Sequence, residues 1–130
     1  MNSAVLRQLS ELQKEVKNRK DAKAVIDALD VTQHIAPVYL PLHEDIKAAA
    51  HQYYNLPGGR GSGKSSFCAL EIVNGIMQDQ TGESSAIVSR RTANTMRESV
   101  FSQIAWAIDV LDVGDLWRGS VSPMCWTYRP

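Results

Sequence analysis

Apolar residues recur at helical spacing near the start of the chain. Residues 3–18 place them on one face and charged side chains on the other, which predicts an amphipathic helix with Ser3 as a candidate N-cap. A second short helix is predicted over residues 21–29. The apolar stripe of the first helix is expected to cover the domain's own core or a neighbouring segment, and a partner-binding surface is the alternative. Its members are Val5, Leu6, Leu9, Leu12 and Val16.

Prolines then interrupt the helical pattern. Pro37 and Pro41 lie within residues 31–42 and predict a linker, because the residue before a proline is biased towards extended structure. A short helix is predicted to follow over residues 42–51.

The middle of the chain changes from strand to helix and back. Residues 52–56 are rich in strand formers, and residues 85–89 have the apolar centre of a buried strand. Between them, a glycine-rich loop leads into a helical pattern that begins at Lys64 and is stopped by residues 80–82. A strand, a helix and a second strand form a βαβ unit, which predicts an α/β fold with a parallel sheet and flanking helices.

A long helix is predicted over residues 92–111. Its start could slip to Thr95, because Thr95 and Glu98 have the spacing of a capping box. Residues 112–122 are typical of a loop, and residues 124–128 indicate a strand that begins near the end of the sequence.

Composition narrows the classes of function. The chain has 130 residues, with 14 Lys plus Arg and 14 Asp plus Glu, so its balanced charge offers no global field for nucleic acid and any DNA contact must be local. The two cysteines and three histidines lack metal-ligand spacing and are interpreted as reduced thiols and as surface or satisfied polar residues. No signal peptide and no apolar run of membrane length is found, so a cytoplasmic protein is expected.

The loop at residues 58–65 matches the complete pattern G-x-x-x-x-G-K-[ST] of a P-loop. Its glycines allow the backbone to approach phosphate oxygens, and its amides and the following helix N-terminus favour an anion. Lys64 is expected to contact the β- and γ-phosphates of ATP and Ser65 to ligate Mg²⁺, with Ser66 as a secondary phosphate contact. The predicted nucleotide-binding residues are Gly58, Gly59, Arg60, Gly61, Ser62, Gly63, Lys64, Ser65 and Ser66.

Three arginines are candidates for a further role. Arg60 lies inside the loop and is either a cis arginine finger or a solvent-facing cation. Arg90 and Arg91 follow the second predicted strand at its carboxyl end, where they face phosphate or DNA, or are simply solvated.

An acidic residue for magnesium and a catalytic carboxylate are also needed for ATP hydrolysis. Asp109 follows an apolar run, but that run lies within a helical pattern, as does the run before Asp27. The chain is therefore expected to be the first part of a larger ATPase, binding nucleotide without turning it over.

Residues 54–66, followed by residues 87–92, 96–100 and 104–111, resemble the ATPase domain of phage large terminase subunits, particularly the PBSX type. The resemblance covers about residues 37–130. It implies a truncated P-loop ATPase domain at 37–130, which the helical segment predicted from the hydrophobic pattern precedes at 1–36. It carries the phosphate loop onto residues 58–66, whereas the family's later acidic motif and its nuclease have no counterpart.

The resemblance also implies a place in a DNA-packaging motor within a bacterial host, encoded by a phage or prophage. ATP and Mg²⁺ would be its cofactors. Double-stranded DNA, a small terminase subunit and a portal would be its partners, with no membrane and with homo-oligomers only in the complete motor. The alternatives are the start of another P-loop NTPase, such as a helicase or nucleotide kinase, and a non-enzymatic prophage remnant.

Overall fold

A computed structural model describes residues 2–91 and 96–130 of the chain. It contains four α-helices and one β-hairpin within those ranges. The helices are α1 (Ser3–Ala28), α2 (Leu40–Lys47), α3 (Lys64–Gln78) and α4 (Ser102–Val110), and the strands are β1 (Trp117–Val121) and β2 (Met124–Tyr128). Short 3-10 turns at Val31–His34, Pro37–Tyr39 and Gly114–Leu116 and a π-helical turn at Met96–Phe101 complete the order.

Helix α1 is one helix of 26 residues, so the prediction of two helices with a break near residue 19 was wrong. Neither glycine nor proline lies near the predicted break, and an ion pair of 2.7 Å between Arg19 and Glu15 spans it. The N-cap is Asn2 rather than Ser3, because the Asn2 Oδ1 atom accepts a hydrogen bond of 3.2 Å from the Ala4 amide. No helix of the described ranges is long and apolar enough to cross a bilayer.

The apolar stripe of α1 does not cover the core of this domain. Its five members are exposed, Leu12 for example by 57%, whereas the buried residues of the helix are Ala22 and Ile26 near its end. The interpretation of the stripe as a cover for the domain's own core was therefore wrong, and a neighbouring segment or a partner remains as its alternative role.

The predicted linker at 31–42 is partly helical. Pro37 begins a 3-10 turn, and Pro41 lies in the first turn of α2, where a proline removes no helical hydrogen bond. Helix α2 therefore begins and ends earlier than predicted. At the start of this stretch, the side chain of Asp30 accepts a hydrogen bond from the Thr32 amide, and its hydrogen bonds to Thr32 lower the pKa of its carboxyl.

The two strands predicted at 52–56 and 85–89 do not form, and the described residues contain no parallel sheet. Tyr53 is 90% exposed and Ile87 is 97% exposed, so neither segment packs as an interior strand does. A strand is stabilised by hydrogen bonds to a neighbour, and both segments lie outside the sheet that the structure shows. That sheet is the antiparallel pair β1–β2, which gives this chain a short α/β structure.

The core lies where α3 packs against α4. Buried residues of α3 include Phe67, Leu70 and Val73, and Ala107 and Ile108 of α4 face them. Helix α3 begins at Lys64 as predicted and ends at Gln78, two residues before the predicted stop. After it, the Asp79 carboxylate accepts hydrogen bonds from the Thr81 and Ser84 amides. Hydrogen bonds from the side chains of Ser84 and Thr81, together with those from the two amides, lower the pKa of Asp79.

Helix α4 ends at Val110, one residue before the end of the predicted helix. It follows the π-helical turn, and the starts predicted at Thr92 or Thr95 lie outside the described residues.

The hairpin closes one side of this core. The strand predicted at 124–128 is confirmed as β2, whereas β1 falls in a segment predicted to be a loop. Within β1, Gly119 makes room for its strand partner Trp126, because a Cβ atom there would lie 2.7 Å from the Trp126 ring. The Trp126 ring stacks on Phe101 at 4.8 Å, and its Nε1 atom donates a hydrogen bond of 3.2 Å to the Phe101 carbonyl oxygen.

Replacing Leu70 by alanine should destabilise the fold by roughly 2–5 kcal/mol, because this side chain is only 1% exposed and its removal leaves a cavity between α3 and its neighbours. Leu12→Ala is the matched control, since the exposed Leu12 loses little and the change should stay within about 0.5 kcal/mol. Urea unfolding followed by circular dichroism measures both. Equal free energies of unfolding for the two variants would contradict the assignment of the core.

Candidate anion-binding site

The glycine-rich loop at residues 58–63 runs directly into the N-terminus of α3. Gly63 is the N-cap residue of that helix and has a φ of 82°, a left-handed conformation that residues with a Cβ atom rarely adopt. The change of direction at Gly63 lets the helix begin at Lys64. The first-turn amides of a helix lack intrahelical acceptors and carry its positive dipole end, so this end of α3 favours an anion.

Lys64 folds back over the loop. Its Nζ atom donates a hydrogen bond to the carbonyl oxygen of Gly58, which joins the first residue of the loop to the first residue of the helix. Gly58 leaves little space for a side chain, because a Cβ atom there would lie 3.2 Å from the Ser62 Oγ atom and 3.5 Å from the Lys64 side chain. The loop therefore curls around a concave surface that has a cationic group at one side.

We call this concave surface the loop cavity; it has a volume of about 560 Å³ and is lined by residues 58–66. All nine residues predicted to contact nucleotide are brought together there, including the exposed Arg60 and Ser65. The space at Gly58, which a Cβ atom would crowd, fits a polyphosphate in size. The backbone amides and the ammonium group of Lys64 fit a polyphosphate in charge.

Tyr39 braces the loop from the preceding segment. Its hydroxyl donates a hydrogen bond of 2.7 Å to the carbonyl oxygen of Ser62, and its ring stacks on Phe67 with 4.9 Å between ring centroids. Phe67 is a buried residue of α3, so one side chain fixes the loop to the helix that follows it. Sequence reasoning missed this residue, because a tyrosine in a proline-containing segment carries no signal of which carbonyl it will meet.

A buried polar pair supports α3 further along. His43 of α2 is a buried residue, and its Nδ1 atom contacts the Glu71 Oε1 atom of α3. His43 is thus a satisfied polar residue, one of the two interpretations from the sequence. One helical turn before Glu71, partial burial and the Glu71 charge raise the pKa of the Cys68 thiol. No group of three or more potential metal ligands occurs in the part of the chain that the structure describes.

Ser66 lies half-buried between the loop and α4. Its Oγ atom accepts a hydrogen bond of 3.4 Å from the Gln103 Nε2 atom, so it links α3 to α4 as well as lining the loop cavity.

Of the two arginines that follow residue 89, Arg90 forms a hydrogen bond with a neighbouring side chain. Its guanidinium donates a hydrogen bond to the Ser99 Oγ atom of the π-helical turn, and both Arg90 and Arg91 are exposed.

Asp27 and Asp109, the acidic residues that follow apolar runs in the sequence, do not lie at the ends of strands next to the loop. Asp109 is an exposed residue of α4, and Asp27 is an exposed residue of α1, as their helical patterns predicted.

These features define a class of protein: an α/β chain with a glycine-rich loop that can hold an anion at a helix N-terminus. Residues 50–128 match the family model described as phage terminase large subunit, so the chain belongs to the phage terminase large subunit family, as its sequence predicted.

One curated relative is the terminase large subunit of Bacillus phage SPP1. It is 41% identical over 100 residues, an alignment that covers 77% of this chain and 23% of that protein. The chain thus spans less than a quarter of the length of this relative. No solved structure matches the chain significantly.

Replacing Tyr39 by phenylalanine keeps the stacking on Phe67 and removes the hydrogen bond to Ser62. Loss of this bond, worth about 1 kcal/mol, should speed amide hydrogen exchange at residues 62–66 by about fivefold. The matched control is Tyr53→Phe, because Tyr53 is 90% exposed and its hydroxyl lies outside the loop. Exchange measured by mass spectrometry would refute the brace if both variants matched the unchanged chain.

Proposed function

We propose that this chain contributes the ATP-binding part of a phage DNA-packaging motor. Residues 37–130 would be the amino-terminal part of a P-loop ATPase domain, and residues 1–36 a helical segment that precedes it. The observation that carries the proposal is the closed loop in front of α3, in which Lys64 reaches back to the Gly58 carbonyl at the positive end of the helix. Membership of the terminase large subunit family supports the same assignment.

Each group of the loop would have a different role in binding the nucleotide. The backbone amides of residues 59–65 donate hydrogen bonds to phosphate oxygens, and the Lys64 ammonium group adds a point charge at the β- and γ-phosphates. The Ser65 hydroxyl would ligate Mg²⁺, whose role when bound is to neutralise charge on the phosphate oxygens. Tyr39 would act as a positioning residue, since its hydroxyl fixes the Ser62 carbonyl of the loop by a hydrogen bond.

DNA, a small terminase subunit and a portal would be the partners of the complete motor. With 14 basic and 14 acidic residues, this chain has no surplus charge to attract DNA over its whole surface. Any DNA contact made by these residues would therefore be local, and the main grip on DNA would come from other parts of the motor.

Replacing Lys64 by alanine should abolish the stabilisation of the chain by ATP and Mg²⁺. A ligand that binds only the folded form at about 100 times its Kd adds about 2.7 kcal/mol, which raises the melting temperature. Thermal unfolding with and without MgATP measures this shift. Lys14→Ala removes an exposed lysine of α1 and should retain the full shift.

Two results would count against the proposed function. A shift that survives in the Lys64→Ala variant would show that the loop is not the nucleotide site. The absence of a shift in the unchanged chain would favour a remnant that has lost nucleotide binding.

Arg60 is exposed at the rim of the loop cavity, a position open to a finger that acts on the γ-phosphate. If it stabilises the charge that develops during transfer, Arg60→Ala should weaken binding of MgADP with aluminium fluoride, a mimic of the transferring phosphoryl group, by roughly tenfold or more. Binding of MgADP alone should not change. Calorimetry with both ligands makes the comparison, and equal affinities in the variant and the unchanged chain would leave Arg60 as a solvated cation.

A further inference from the structure

A second cavity adjoins the loop on the side of α4. We call it the side cavity; it has a volume of about 380 Å³, within the range of ligand pockets. Lys64 and Ser65 line both this cavity and the loop cavity, whereas residues 58–63 line the loop cavity alone. The two spaces therefore meet at the end of the loop where α3 begins.

The place where the two cavities meet indicates which phosphate of a bound triphosphate would lie there. In a P-loop the lysine reaches the β- and γ-phosphates, and the serine at the next position holds the magnesium ion that bridges them. The side cavity borders these two residues, so it lies at the γ-phosphate end of the loop and away from the α-phosphate end.

The charges around the side cavity are unbalanced. Lys64 and Arg90 are the charged residues among those described as lining it, and no aspartate or glutamate joins them. The ammonium group of Lys64 is directed to the Gly58 carbonyl oxygen, so Arg90 brings a positive charge to this space with no carboxylate opposite it, which favours an anion there. Apolar side chains form much of the remaining wall, which strengthens such an attraction by lowering the local dielectric constant. Examples are Leu56, Val88 and Ile104.

Arg90 is an exposed residue whose side chain is oriented by a hydrogen bond. Its guanidinium donates to the Ser99 Oγ atom, and Ser99 also lines the side cavity. A guanidinium carries five N–H donors, so one bond to Ser99 orients the group while leaving further donors to present to an oxyanion. Arg91, the next residue along the chain, does not line this cavity.

We propose that Arg90, oriented by Ser99, binds the terminal phosphate of the nucleotide held by Lys64 and makes the site select a triphosphate over a diphosphate. This inference rests on the proposed function, because it assigns a specificity-determining residue to the same nucleotide site. A side chain outside the loop would then distinguish a nucleotide with three phosphates from one with two.

The test compares the affinities for MgATP and MgADP by calorimetry, using the unchanged chain and three variants. Arg90→Ala should weaken MgATP binding by roughly tenfold or more, because hydrogen bonds to a charged phosphate are lost, and should change MgADP binding less than about twofold. Arg90→Lys should lose part of the preference, since it keeps the charge without the fork of donors. Arg91→Ala is the matched control and should bind both ligands as the unchanged chain does.

Several results would overturn the inference. An equal loss of MgATP and MgADP affinity in Arg90→Ala would reduce Arg90 to a general source of positive potential, and an effect of the same size in Arg91→Ala would do likewise. Unchanged nucleotide affinities together with weaker binding of a short DNA duplex would assign Arg90 to DNA. If the unchanged chain bound neither nucleotide, the proposed function would fail first and this inference with it. Melting curves of each variant without ligand identify any that fail to fold, and Arg90→Lys then carries the comparison.

Discussion

The packing of α3 against α4 is the interaction on which the rest of this structure depends. Leu70 and Val73 of α3 and Ala107 of α4 are almost completely buried, and the hairpin and the segment before α2 are built around them. Because α3 cannot rotate without breaking this core, its N-terminus is held at one place and in one direction. The position of the loop at residues 58–63 is set by that helix and by the hydrogen bond from Tyr39 to Ser62.

In this arrangement the two parts of α3 have different roles. The apolar face of α3 stabilises the fold, and the N-terminus of the same helix favours an anion. Tyr39 joins the two, since its ring belongs to the packing around Phe67 while its hydroxyl belongs to the loop. His43 and Glu71 add a polar contact between α2 and α3 farther from the loop. The conformation of the loop is therefore held by side chains from before and after it.

Sequence reasoning succeeded where the determining forces are local. The start of α3 at Lys64 follows from a glycine that can adopt a positive φ, and the helical nature of residues 102–110 follows from apolar spacing. It failed at residues 52–56 and 85–89, since strand formation depends on a neighbour that propensity cannot supply. It also missed β1, where Gly119 serves the Trp126 ring of the opposite strand, and Tyr39, whose acceptor lies 23 residues away. The family itself was predictable because the loop and the segment after residue 86 carry its pattern.

The hydrogen bond between Tyr39 and Ser62 couples the segment between α1 and α2 to the loop. Linkage between two equilibria is reciprocal: a change that breaks the Tyr39–Ser62 hydrogen bond destabilises the loop, and a change that stabilises the loop strengthens that hydrogen bond by the same free energy. Tyr39 lies at the junction between the N-terminal helix and the rest of the chain, only a few residues after Val31 and Ile35 enter the core. A displacement of the segment between α1 and α2 would therefore change the conformational stability of the loop through this phenol group, in addition to any effect through the His43–Glu71 contact.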